Sequence, residues 1–139
     1  MRQNLSLLWL AGSLVFGLAA MSPAQALDEV EQVIRDQISA FGEGDAERAY
    51  YHASDGIKAQ FPTADLFVDM VRSQYSALHD PRRLSFSEPL PVSDERVHQM
   101  VLVMDQSGRN WRAVYSLVAV DERWVIEGVV IRPAQQQTV

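Results

Sequence analysis

Glu127 is the residue whose surroundings most suggest chemistry. It stands between Val125 and Val129 in a run that alternates apolar side chains, and a carboxylate on an apolar face is costly unless something pairs with it. Desolvation there raises a carboxyl pKa towards that of a general base. The simpler reading, an ion pair with Arg112 on the neighbouring strand, is preferred. His52, which follows two tyrosines near a helix end, is the second weak candidate for a catalytic base. Tyr50, Tyr75 and Tyr115 could bring hydroxyls to one pocket. Trp111, with Trp124, could supply a stacking wall there. The plain alternative for all five is a core ring with one hydrogen bond at its rim. His52, His79 and His98 are scattered. None has the spacing of a metal pair beside a carboxylate, so no metal site is expected. No glycine-rich phosphate loop, nucleophile elbow or paired-carboxylate signature is present, and no cofactor is expected.

The chain has 139 residues, 18 acidic and 12 basic, with a net charge of −6 and no cysteine. Thiolate catalysis, thiolate metal sites and disulfides are thereby excluded, and an acidic chain without a basic run is a poor partner for nucleic acid. Residues 1–26 read as a signal peptide. Arg2 is followed by an uncharged run over 5–20, then Pro23 as a helix breaker, then Ala24-Gln25-Ala26 as the small-x-small site, with cleavage after Ala26. The run is short for a membrane span of roughly 20 apolar residues. A periplasmic or secreted protein is expected, with no membrane partner once the signal is cleaved. A single α+β domain over 27–133 and a flexible tail over 134–139 complete the chain.

The period of the apolar residues says what positions these groups. Val30, Val33, Ile34, Ile38 and Phe41 predict a helix over 28–41, opened by a capping box from Asp28 to Glu31. A short helix over 45–53 carries Ala46, Ala49, Tyr50 and Ala53 as a small-residue stripe. Residues 57–61 are ambiguous. Thr63 caps a third helix over 64–78. From Arg82 the pattern alternates, predicting strands over 84–90, 97–104, 110–120 and 124–131. Asp105-Gln106-Ser107-Gly108 and Asp121-Glu122 serve as turns. Helices segregated from strands predict three helices on one face of a curved four-stranded antiparallel sheet. Both faces of the strands are largely apolar, although an antiparallel sheet with a wet face should show polar residues there. The uncovered face is therefore expected to be buried by a second copy of the chain.

Further residues carry a resemblance. They are Gln37-x-x-Ala40-Phe41 with Asp45, Ala49-Tyr50, Ala53-Ser54 and Phe61-Pro62-x-x-x-x-Phe67-x-x-Met70-Val71-x-x-x-Tyr75 with Pro81. Gly108-x-x-Trp111-x-Ala113-x-Tyr115 and Trp124-x-Ile126-x-Gly128 complete the set. In order and spacing the chain resembles the nuclear transport factor 2-like (cystatin-like) superfamily, and more narrowly a bacterial family called domain of unknown function 4864. The resemblance implies a cone with a pocket between helices and sheet, often a dimer through the sheet, and no activity. Superfamily enzymes use Asp–His or Tyr–Asp sets inside the cone. Residues available for such a set here are His52, Asp55, Asp69, Tyr75, His79, Tyr115 and Glu127. Three functions follow: a module binding a small apolar or amphipathic ligand in the cone through Tyr50, Tyr75, Trp111 and Tyr115; an envelope interaction module; and, behind these, a lyase or isomerase using Glu127 or His52.

Overall fold

The structure, a computed structural model, describes residues 22–135. Residues 1–21 of the expected signal segment and 136–139 of the expected tail lie outside the described residues.

Pro23 does not break a helix but begins one. At the first helical position proline gives up only an N–H that would have no partner there. Helix α1 therefore spans Pro23–Glu43, with Ala24, Gln25 and Ala26 in its first turn. The capping box is Ser22 with Gln25, not Asp28 with Glu31: the Gln25 backbone N–H donates to Ser22 Oγ at 3.3 Å and the Ser22 N–H to Gln25 Oε1 at 3.1 Å. Gly44, at φ 71°, ends it in the left-handed conformation.

Asp45 caps α2, Ala46–Tyr51, and Ser54 caps α3, Asp55–Gln60, which resolves the ambiguous stretch as helix. The single helix expected over 64–78 divides at Tyr75 (φ −129°, ψ 45°) into α4, Ala64–Gln74, and α5, Ser76–His79. Two cores explain the bend. Phe67, Val68 and Val71 of α4 pack with Ala40, Phe41 and Ala49 in a cluster between helices. Ala77 and Leu78 of α5 turn instead to the main core, where Val30, Ile34 and Ile38 of α1 lie on the sheet. Each fully buried Val, Leu or Ile side chain among them contributes on the order of 1.5–3 kcal/mol.

The sheet has five strands, one more than expected. Pro89 and Pro91 cannot donate to a ladder, and the strand expected over 84–90 becomes β1, Arg83–Phe86, and β2, Leu90–Ser93. Both pair antiparallel with the same strand, β3, Arg96–Met104. Gln99 of β3 mends the gap: its side-chain amide donates to the Ser87 carbonyl at 2.7 Å. Strands β4, Asn110–Val120, and β5, Arg123–Pro133, complete an open antiparallel sheet.

Strand β5 holds the main correction to the expected faces. Ser116 pairs with Gly128 but Leu117 with Ile126, so Glu127 is the extra residue of a β-bulge. The bulge shifts the alternation by one. Trp124 and Ile126 before it, and Val129 and Ile131 after it, all join the core. The other face keeps Met100, Leu102 and Val130 at 39%, 43% and 57% exposure.

The β4–β5 turn is strained. Val120 pairs with Arg123, leaving a two-residue loop in which Asp121 (φ 50°) and Glu122 (φ 63°) both take positive φ. Side chains other than glycine pay about 1–2 kcal/mol in that region. Replacing Glu122 with Gly is expected to stabilise the protein by about 1 kcal/mol, read as a higher urea midpoint at unchanged slope. A lower midpoint would mean that contacts of the Glu122 side chain outweigh the strain.

Candidate functional site

The two cores do not merge completely. Between them lies a cavity of about 250 Å³. Phe41, Phe67, Val71 and Leu78 form its helical wall, and Tyr115 and Ile126 its sheet side. The exposed Gln60 and Gln74 stand at its mouth.

Tyr115 dominates this site. It projects from the inner face of β4 and is 1% exposed. Its hydroxyl is buried and has no hydrogen-bond partner among the described residues. Burial pushes the phenol well above its ordinary pKa, so at neutral pH it stays protonated. Native proteins pair nearly all buried polar groups. Among the described residues Gln99 Oε1 and His79 Nε2 are likewise buried without a partner.

Gln37 is the second polar group of the cavity, and residue-type reasoning passed over it. Its amide donates to the Ala49 carbonyl at 3.2 Å and ties α1 to α2. The signal was available: Gln37 falls three residues after Ile34 and four before Phe41, on the stripe that α1 buries. Tyr75 also lines the cavity. Tyr50 does not; its hydroxyl donates to the Phe61 carbonyl at 2.6 Å and its ring packs on Phe67. Trp111 lies outside the lining too, at the far hairpin, where its indole N–H donates to Asp105 Oδ2 at 2.8 Å.

Glu127 and His52 stand on other walls. At the bulge Glu127 is exposed and pairs with Arg96, not with the expected Arg112. His52 is 9% exposed, and its Nε2 lies 2.5 Å from Asp36 Oδ2. The other Asp36 oxygen is 3.3 Å from Arg48 Nε. This pair opens on a shallow groove between α1 and the β4–β5 turn, beside Tyr51 and Arg123. Asp36 was missed because it sits on the polar side of α1, where a carboxylate needs no explanation. His79 stacks on Phe41, and His98 lies opposite Ser116 in the β3–β4 ladder. Asp69 meets Arg72, and Asp55 begins α3. Among the described residues no three His, Asp or Glu side chains gather as metal ligands. Neither candidate base lines the cavity, whose polar side chains are glutamines and tyrosines.

Comparison with known proteins agrees with this fold. Residues 23–139 match a family described as a domain of unknown function, DUF4864. No curated protein matches the chain. An NTF-2 like protein of unknown function from Silicibacter pomeroyi is similar, with 16% identity and a TM-score of 0.59, over 82% of this chain and 100% of that one. A domain of unknown function with a cystatin-like fold from Nostoc punctiforme shares 14% identity at a TM-score of 0.59, over 84% and 82%. A putative NTF2-like transpeptidase from Campylobacter jejuni shares 16% identity at a TM-score of 0.52, over 70% and 96%. At these identities the likeness is one of fold.

The placement of Trp111 generates a pH prediction. The Ser107 hydroxyl first, and then the Trp111 indole, hold the Asp105 carboxyl down to about 2. An unfolded aspartate titrates near 3.9. The stabilisation of the hairpin by this carboxylate is therefore whole above about pH 4 and is lost as pH falls towards 2. The indole N–H NMR signal of Trp111 should titrate in that window, and Asp105→Asn should remove the transition. A midpoint above pH 4 would contradict the assignment.

Proposed function

We propose that this chain, which belongs to the DUF4864 family, is an exported binding module that holds one small, mainly apolar molecule between its helical layer and its sheet. The cavity between the two cores, lined mainly by apolar and aromatic side chains, carries the reading. An apolar cavity with few polar groups is the usual form of a small-ligand site. Export rests on residues 1–26, and the absence of cysteine leaves packing alone to hold the fold in an oxidising compartment.

A second reading concerns the outer face of the sheet. Leu90, Met100, Leu102 and Val130 expose 39–64% of their surface there. Contiguous apolar surface of this kind marks an interface, and an isologous pair of sheets is the simplest way for one chain to cover it.

Two outcomes are expected. Tyr115→Phe removes the unpaired oxygen, so it should raise the stability of the ligand-free protein by about 1 kcal/mol, and the parent protein should carry a co-purified molecule. Native mass spectrometry of protein recovered from the envelope fraction would read both that molecule and a chain beginning at Leu27. A Tyr115→Phe protein no more stable than the parent, with nothing co-purified in either, would refute the binding reading. For the sheet face, sedimentation at micromolar concentration should give a dimer that Val130→Glu converts to a monomer. A parent protein that is already monomeric would dispose of the second copy.

A further inference from the structure

The cavity grades from dry to wet. Phe41, Phe67, Val71, Leu78 and Ile126 in its lining are 2–5% exposed. Ile57, Phe61, Met70 and Tyr75 are half-buried, and Gln60 and Gln74 are the exposed members. Water therefore meets the cavity at two side-chain amides, while its deep surface is mainly aliphatic and aromatic.

A ligand has to match that gradient at both ends. Its inner end finds little hydrogen bonding. The Gln37 amide already donates to the Ala49 carbonyl, and the Tyr115 hydroxyl is closed off even to water. A polar group carried inward would lose its hydration with nothing in return. The outer end keeps its water and has Gln60 and Gln74 beside it. A primary amide donates, accepts and carries no charge, and no charged side chain lines the cavity. The mouth therefore serves a hydroxyl and a carboxylate alike. Volume sets the size of the buried part. A cavity of about 150 Å³ takes a benzene molecule, and in proportion 250 Å³ holds about ten non-hydrogen atoms.

We infer that the cavity takes a small amphiphile tail first. An apolar body of about ten non-hydrogen atoms lies between the two cores, and a single polar head, charged or neutral, stays hydrated beside Gln60 and Gln74. This rests on the binding-module reading and narrows it. Molecules polar at both ends are selected against, and the charge of the head is not selected.

Calorimetric titration of the whole mature protein at pH 7 tests this with straight-chain alcohols and carboxylates below their micellar concentrations. Affinity should rise about fourfold per methylene, level off near ten carbons, and differ by less than about tenfold between alcohol and carboxylate of equal length, since both heads keep their water. The diol 1,8-octanediol must bury one hydroxyl and should bind at least about tenfold more weakly than 1-octanol. Gln74→Lys, a substitution at an exposed position, should raise the carboxylate-to-alcohol ratio about two- to fivefold. Val130→Glu, on the outer face of the sheet, should leave every affinity unchanged. A diol that binds as tightly as 1-octanol, or a head-group ratio that neither Gln74→Lys nor Gln60→Lys moves, would overturn the tail-first placement and leave the cavity reading standing. Affinity still climbing beyond dodecanol would overturn the size. If no member of the series binds the parent protein, or if Val130→Glu abolishes binding that the lysines do not alter, the cavity reading itself falls.

Discussion

Two backbone hydrogen bonds join the helical layer to the sheet at one residue, Ile126. Its N–H donates to the His52 carbonyl at 2.8 Å, and its own carbonyl accepts from the Ser54 N–H at 2.9 Å. Segment 52–54 thus lies along β5 as a single parallel bridge at Ala53. The bulge at Glu127 adjoins it, and on the far side His52 is tied to Asp36 of α1. This junction fixes where the chain leaves the sheet. Because α2 is pinned here and to Gln37, α4 packs on α1 and α2. The space left between that layer and β4–β5 is the cavity.

The unpaired Tyr115 hydroxyl is a cost that the core carries. A phenylalanine at 115 would suit a closed core better, since an unpaired buried polar group costs more than a typical hydrogen bond returns. Natural sequences violate local rules of this kind mostly at sites of function and offset the cost elsewhere. Here the offset is the apolar packing around it, with Ile34, Leu117 and Val101 fully buried. Several polar groups elsewhere are committed to structure. Tyr50 secures the end of α3, Trp111 and Asp105 close the β3–β4 hairpin, and Gln99 spans the interruption between β1 and β2. Tyr115 is not alone among the described residues, since Gln99 Oε1 and His79 Nε2 are also buried without a partner.

The charged candidates show how topology sorts residue types. Glu127 looked like a carboxylate trapped on an apolar face, which would have made it a base. The bulge turns it instead to the exposed side, where Arg96 meets it. Between groups this exposed an ion pair is worth little, on the order of 0–1 kcal/mol, and the bulge itself does the structural work of re-aiming β5. His52 and Asp36 are better placed to interact, yet they serve the outer junction between α1 and α2 rather than the cavity.

Much of the plan was legible along the chain. Helical spacing in 30–41, alternation after Arg82 and the capping residues Asp45 and Thr63 specify an α+β layer order, because these signals are local and repeat with the period of the element. The likeness to DUF4864 rested on similar short patterns. What the sequence could not show was anything decided by register between distant segments. The bulge, the split at Tyr75, the division of β1 from β2 and the choice of Arg96 over Arg112 each depend on which residues meet across the sheet. So does the cavity. It is settled by how two cores, built from helices and strands far apart in the chain, fail to close completely on one another.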